Sequence, residues 1–161
     1  MTVTVVDAGK RKISRAADVQ APAAELFEIV ADPRRHPELD GSGTVINTVS
    51  GPERLAQGER FSVNMKQYGL PYRITSHVTE FDEGHVVEWQ HPAGHRWRWE
   101  FVPQPGGTTL VTETFDYSGI NAMQAKALDL FGQTRKNVAG IEATLRQLQQ
   151  RYDGGVPPAQ P

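Results

Sequence analysis

The amino-acid sequence predicts a single α+β domain in which an antiparallel sheet packs against one long C-terminal helix. Two observations support this fold class. Residues 43–117 alternate between apolar and polar side chains, with turns between the segments, as in antiparallel sheets with one buried face. Residues 127–152 instead repeat apolar side chains every three or four positions, which is typical of an amphipathic helix.

Length and composition narrow the class of protein. The chain has 161 residues, which fits one domain, and a formal net charge of −2 with both signs interspersed. It contains no cysteine, which excludes disulfides, thiolate metal sites and a cysteine nucleophile. No segment approaches the ~20 apolar residues of a membrane span, and no signal-peptide pattern opens the chain. We expect a cytoplasmic monomer or homodimer with no nucleic-acid partner and no cofactor.

The first predicted elements are a strand and a short helix. Over residues 10–20 a period of two places Ile13, Arg15, Ala17 and Val19 on one face, which predicts a strand. Residues 21–32 carry apolar side chains at helical spacing, and Pro22 suits a helix start because its missing N–H is harmless there. The helix is predicted to end at Asp32, because a residue before proline is disfavoured in the α region.

Residues 31–43, "ADPRRHPELDGSG", concentrate charged side chains and raise the question of a metal or acid–base site. The spacing of Pro33 and Pro37 instead predicts a second, one-turn helix, capped by Asp32 and followed by turn residues. A metal site needs several converging ligands, and neither an H-x-H nor an H-E-x-x-H pattern is present. We therefore interpret His36 and Glu38 as parts of a connector and expect no metal.

Strands follow, each bounded by glycine or proline turns. Period-two alternation defines which side chains share a face, so one face of each strand is predicted to be apolar. The predicted strand segments are residues 43–52, 58–71, 71–84, 85–103 (two strands around a "PAG" turn) and 106–118.

The last predicted element is a helix of about 26 residues, roughly 39 Å long. Its apolar stripe runs without interruption, although Gly132 leaves open whether the helix is continuous there. The stripe needs a partner, which the dry face of the sheet provides. We expect the domain to span residues 1–152, followed by a disordered tail at 153–161. The stripe consists of Ala127, Phe131, Thr134, Val138, Ile141, Leu145, Leu148 and Tyr152.

Three parts of the chain together resemble the SRPBCC (START-like) superfamily: residues 17–43, the segment "GTTLVTETFDYS" and the terminal helix. The resemblance covers roughly residues 11–152 and is strongest to the bacterial polyketide cyclase/dehydrase type. It implies a helix-grip fold, in which a seven-stranded antiparallel sheet wraps around the long C-terminal helix. Two short helices would follow the first strand, and a deep hydrophobic cavity would lie between sheet and helix.

This fold implies binding of a small hydrophobic or aromatic ligand, such as a lipid, a polyketide-like molecule or a similar metabolite. The alternative is a polyketide cyclase/aromatase that promotes aldol cyclisation and dehydration in the same cavity. Aromatic side chains suit the walls of such a cavity, although each could equally be core. The expected ligand-binding residues are Phe61, Met65, Tyr72, Ile74, Val78, Trp89, Trp97, Trp99 and Phe115.

Glu113 is the candidate catalytic residue, because alternation places its carboxylate on the apolar face of its strand. A carboxylate there is paired or directed into the cavity, since an unpaired buried charge is costly. If the opposite face is the inner one, this role is lost. His91 and His95 flank the "PAG" turn and are interpreted as surface residues, because no third metal ligand is identifiable.

Overall fold

The computed structural model describes residues 2–41 and 45–153, which form one eight-stranded antiparallel sheet with helices on one side. The strand order across the sheet is β1-β2-β8-β7-β6-β5-β4-β3. The strands are β1 (Val3–Val6), β2 (Lys12–Val19), β3 (Val45–Ser50), β4 (Arg60–Gln67), β5 (Leu70–Asp82), β6 (Val86–Gln90), β7 (Arg96–Pro103) and β8 (Thr109–Asp116). The helices are α1 (Ala23–Ala31), a 3-10 turn (Pro33–Arg35), α2 (His36–Leu39), α3 (Ala122–Leu130) and α4 (Gln133–Arg151).

The predicted helix-grip fold is confirmed. Strands β2 to β8 form the seven-stranded antiparallel sheet, α1 and α2 follow the first of these strands, and a long helix closes the chain. The four-residue β1, which the alternation did not indicate, adds an eighth strand along the outer edge of β2. The predicted tail lies outside the described residues after Asp153.

The connector after α1 follows the predicted turn chemistry. The Asp32 side chain accepts a hydrogen bond from the backbone N–H of Arg34 at 3.0 Å and so caps the 3-10 turn that Pro33 begins. Helix α2 then runs into Gly41, whose backbone N–H donates to Thr144 Oγ1 at 2.9 Å. A Cβ at Gly41 would lie 2.5 Å from the backbone nitrogen of Thr144. Glycine therefore lets the connector lie directly against α4.

The C-terminal helical region is not one helix of about 26 residues but breaks at Gly132, the position at which the sequence left its continuity open. Gly132 has a φ of 77°, a left-handed conformation that ends α3 and precedes α4. Phe131 belonged to the predicted stripe but is exposed, because the break moves it out of the buried face. The stripe continues correctly through α4, where Ile141, Leu145 and Leu148 are buried.

The core lies between the concave face of the sheet and the helices. Helix α4 packs across β2 and β8, and α1 packs across β6 and β7. The Phe27 ring of α1 meets the Phe101 ring of β7 edge-on, with centroids 5.8 Å apart. We call the concave, helix-covered side of the sheet the inner face. No helix in the described part of the chain is long and apolar enough to cross a membrane.

Strand β5 carries a β-bulge that changes which residues face inward. Val78 pairs with Trp89 and Phe81 pairs with Val87, with a shift in register between them. Both Val78 and Phe81 belong to the inner core, so Thr79 and Glu80 together occupy the outer side. The bulge bends the longest strand of the sheet.

Candidate functional site

Strand register places the expected ligand-binding residues side by side on the inner face. Residues paired across antiparallel strands share a face, and one such row joins Phe115, Trp97, Trp89 and Val78 on four neighbouring strands. On β4 and β5 the pairs Phe61–Ser76, Val63–Ile74 and Met65–Tyr72 continue this surface. Trp99 lies on the same face one step further along β7.

Burial divides these residues into two groups. Four are fully buried and belong to the core: Phe61, Val78, Trp99 and Phe115. Four others pack against the core but are only partly covered by the helices: Met65, Ile74, Trp89 and Trp97. Tyr72, near the end of the β4–β5 hairpin, is exposed. The partly covered group forms an apolar band on the inner face that the protein's own side chains do not fully bury.

Glu113 lies in the middle of the inner face. On β8 it is buried between Val111 and Phe115, and its register partner on β7 is Trp99. Its Oε2 atom has no hydrogen-bond partner among residues 2–41 and 45–153. Burial, and secondly the negative charge of Asp40, raise the pKa of Glu113 well above its usual value. Burial therefore favours the protonated, neutral form of this side chain, which can donate a hydrogen bond.

The cations near this acid are engaged elsewhere. Arg15 is the register partner of Glu113 on β2, but its guanidinium contacts Glu142 Oε1 of α4 at 3.2 Å. On β7, the other neighbouring strand, Arg98 lies on the outer face and bonds Glu80 Oε2 at 2.6 Å. None of the ion pairs within residues 2–41 and 45–153 includes Glu113.

Two shallow depressions lie outside this inner face. One, of about 380 Å³, lies between Glu38 and the last turns of α4. The other, of about 370 Å³, lies on the outer face around Arg98. Neither contains any of the expected ligand-binding residues, so neither is the deep cavity that the resemblance implied between sheet and helix.

Known proteins resemble this chain, with its helix-grip sheet and partly covered apolar band, in sequence and in fold. The family profile described as "Polyketide cyclase / dehydrase and lipid transport" matches residues 10–153. The chain belongs to this family. Among curated proteins, the uncharacterized protein Rv0088 of Mycobacterium tuberculosis is 55% identical over 157 residues, covering 96% of this chain and 70% of Rv0088.

Solved structures share the fold of this polyketide cyclase/dehydrase family member at low identity. Protein Ms6760 from Mycobacterium smegmatis has a TM-score of 0.72 at 20% identity, over 96% of this chain and 100% of its own. The AHSA1-like protein from Aeromonas hydrophila has a TM-score of 0.60 at 20% identity, over 89% of this chain and 93% of its own. These similarities establish the helix-grip fold of this family member.

His36 is a residue of the site that sequence analysis missed. In this family member it is buried, its Nε2 lies 2.8 Å from the Val30 carbonyl oxygen, and its ring stacks on Trp89 with centroids 5.0 Å apart. Burial lowers the pKa of His36. The connector therefore contributes an aromatic wall to the site as well as a turn. Within the described ranges, no three His, Asp or Glu side chains are grouped to hold a metal.

His91 and His95 are not simple surface residues, contrary to the prediction for their turn. The turn tip at Pro92 and Ala93 is exposed, but both imidazoles are partly buried and stack with centroids 4.1 Å apart. His95 also lies 5.0 Å from the Phe115 ring, and burial together with His91 lowers its pKa to about 4. Alternation from Trp89 and Trp97 was the available signal, because it places both histidines on the inner face.

Proposed function

We propose that this protein binds a small hydrophobic or aromatic molecule between the inner face of the sheet and α4. The observation that carries the proposal is the partly covered apolar band of Met65, Ile74, Trp89 and Trp97. Monomeric domains normally bury large aromatic side chains against their own core, so an inward-facing band that remains partly open favours an external apolar partner.

The band is large enough to hold a ligand by the hydrophobic effect. Covering about 100 Å² of apolar surface contributes roughly 2.5 kcal/mol at about 25 cal/mol per Å². A ligand that covers several of these side chains gains this contribution from each covered area, and the surplus over the entropic cost of association sets its affinity. Flat apolar molecules fit best, because indole rings pack well against extended π-systems.

Glu113 supplies the polar contact within this apolar site. In the protonated form that burial favours, Glu113 can donate a hydrogen bond to a carbonyl or hydroxyl oxygen of the ligand, since its Oε2 has no partner among the described residues. A ligand carboxylate could also accept this hydrogen bond. Its negative charge would not be neutralised by Arg15, because the Arg15 guanidinium is paired with Glu142. The site therefore favours an uncharged aromatic or aliphatic molecule that carries an oxygen acceptor.

The same observation supports a second candidate function, a cyclase that promotes aldol closure and dehydration of a poly-β-ketone chain. A buried acid with a raised pKa is suited to donate a proton to a carbonyl oxygen as the new bond forms. The remaining catalysis would come from holding the chain in a folded geometry, worth up to about 7–11 kcal/mol in favourable cases.

Binding is tested with prodan, a neutral naphthyl ketone whose fluorescence reports the polarity of its surroundings. We expect prodan to bind the wild-type protein, and Ile74→Trp, which fills the inner face, to weaken binding at least tenfold. His77→Trp places the same side chain on the outer face of the same strand and is the matched control. Failure of prodan and of native mass spectrometry to reveal any bound molecule would contradict the proposal.

The hydrogen-bonding role is tested by comparing two probes. Glu113→Met should weaken prodan binding by about 1–3 kcal/mol, the usual scale for a buried hydrogen bond. Pyrene, a hydrocarbon without an acceptor, should bind both proteins equally. The enzyme alternative instead predicts that Glu113→Gln lowers turnover of a poly-β-ketone analogue ~10²–10⁴-fold while probe affinity is kept.

A further inference from the structure

Five large apolar side chains are strongly exposed on two segments, the turn of the β4–β5 hairpin and helix α3. The five residues, which we call the apolar tip, are Tyr68 (73% exposed), Leu70 (70%), Met123 (82%), Leu130 (76%) and Phe131 (80%). Single exposed apolar residues are ordinary, but five on two neighbouring segments are not.

The two segments meet at one end of the molecule. The Nζ atom of Lys136, in the first turn of α4, lies 3.9 Å from the centroid of the Tyr68 ring. Lys136 follows Phe131 by five residues, across the break at Gly132. Tyr68 and the end of α3 therefore lie within a few side-chain lengths of each other. Along α3, Met123 and Leu130 are seven residues apart and share a face, while Ala125 is buried.

Tyr68 occupies a backbone conformation that disfavours its side chain. Its φ is 53° and that of Gly69 is 76°, so the two form the centre of a tight hairpin turn between Gln67 and Leu70. Such turns require positive φ at both positions and favour asparagine or glycine there. An exposed aromatic residue at this position adds strain to the turn without contributing to the core. Strain of this kind is characteristic of functional positions.

Basic side chains are concentrated on the two chain segments that carry the apolar tip. Residues 66–73 and 123–136 contain Lys66, Arg73, Lys126, Arg135 and Lys136, and a single acidic residue, Asp129. All five basic residues are exposed. Asp129 accepts a hydrogen bond from the Tyr117 hydroxyl at 3.3 Å. The chain as a whole has a formal net charge of −2, so positive charge is concentrated at this end.

We propose that the apolar tip docks on the surface of an anionic lipid bilayer, with Leu130 and Phe131 entering the interface and the basic residues facing lipid headgroups. Apolar and aromatic side chains beside lysine and arginine are the composition of interfacial membrane contacts. A second copy of the chain fits less well, because a symmetric contact would bring like-charged rims together. Docking goes beyond ligand binding and does not depend on it.

The test is co-sedimentation of the full chain with large vesicles of phosphatidylcholine, with or without about one-third phosphatidylglycerol. We expect binding to the anionic vesicles that weakens as salt is raised, because surface charges are screened. Leu130→Ser combined with Phe131→Ser should reduce binding at least tenfold. The matched control combines Val5→Ser with Val102→Ser, which removes two exposed apolar side chains elsewhere on the sheet.

The electrostatic part has its own variant. Lys126→Gln combined with Arg135→Gln should weaken binding to anionic vesicles about 25-fold, since each cation near such a surface contributes about fivefold. Circular dichroism and the thermal midpoint should be unchanged for every variant, because all these positions are exposed. The proposal is overturned if the wild type does not sediment with anionic vesicles. It is also overturned if the Val5/Val102 control loses as much binding as the tip variant, or if the tip variants convert a dimer into a monomer without affecting vesicle binding.

Discussion

Replacing Glu113 with methionine is expected to stabilise the folded protein, and to do so more strongly as the pH rises. In the part of the chain that the structure describes, the Oε2 atom of this buried carboxyl has no hydrogen-bond partner, and burial raises its pKa. Above the usual pKa of glutamate the unfolded chain is ionised there, whereas the folded chain must keep the proton or bury a charge. Glu113 therefore lowers the free energy of unfolding as the pH rises from about 4.5 through its folded-state value.

The size of the effect follows from the group that is removed. Leaving one buried polar atom unsatisfied costs about 1–3 kcal/mol, and methionine has a similar length with no such atom. We therefore expect Glu113→Met to raise the free energy of unfolding at pH 8 by about 1–3 kcal/mol. At about 2–4 °C per kcal/mol for a chain of this size, the melting temperature should rise by roughly 2–10 °C.

Urea and thermal unfolding at a series of pH values from 4 to 8 measure this difference. Histidines affect both proteins equally, so the difference between wild type and variant isolates Glu113. Thr112→Met, the neighbouring position on the outer face of β8, should show no pH-dependent gain. If Glu113→Met is less stable than wild type at pH 8, the carboxyl makes a stabilising contact. The reasoning from its burial is then refuted.

Three further expectations concern the surrounding residues. Burial lowers the pKa of His95 to about 4, so the unfolded chain binds more protons than the folded chain below pH 6.5. The free energy of unfolding should therefore fall by at most about 3 kcal/mol as the pH drops from 6.5 to 4. His95→Phe should reduce this dependence on pH. His36→Ala should lower the free energy of unfolding, measured with urea, by about 2–3 kcal/mol because it removes the ring stacked on Trp89. Glu38→Ala, a surface control in the same connector, should lower it by less than about 1 kcal/mol. Gly41→Ala should destabilise by about 1–3 kcal/mol, because its Cβ would overlap α4; an unchanged denaturation midpoint would contradict the close packing.

Alternation along single strands was sufficient to predict which side chains share the inner face. The side-chain period of two fixed the faces of Trp97, Trp99 and Glu113 without knowledge of their neighbours. The same rule applied to His91 and His95 indicates the inner face, but the turn between them suggested a surface site. Local pattern was thus informative wherever a strand was regular, and less so at strand ends.

Features that depend on distant contacts could not be predicted. His36 is buried because its ring meets Trp89, and Arg15 is occupied because Glu142 lies across from it on α4. These partners are separated by 53 and 127 residues in the sequence. The sequence left the continuity of the helix at Gly132 open, because the apolar spacing runs through that position with little change of phase. A single left-handed residue is enough to redirect the chain.

The bulge in β5 has a consequence for how the family can vary in length. Before it, even-numbered residues such as Ile74 and Val78 face the core, and after it the odd-numbered Phe81 does. The bulge therefore acts as a parity change within one strand. Thr79 is the extra residue of the bulge, so deleting it would leave Val78, Glu80 and Phe81 in regular alternation, and both halves of β5 would keep their facing. Deleting a residue elsewhere in β5 would instead turn the part of the strand beyond the deletion to the opposite face. A homologue that is one residue shorter in β5 is therefore expected to lack the bulge.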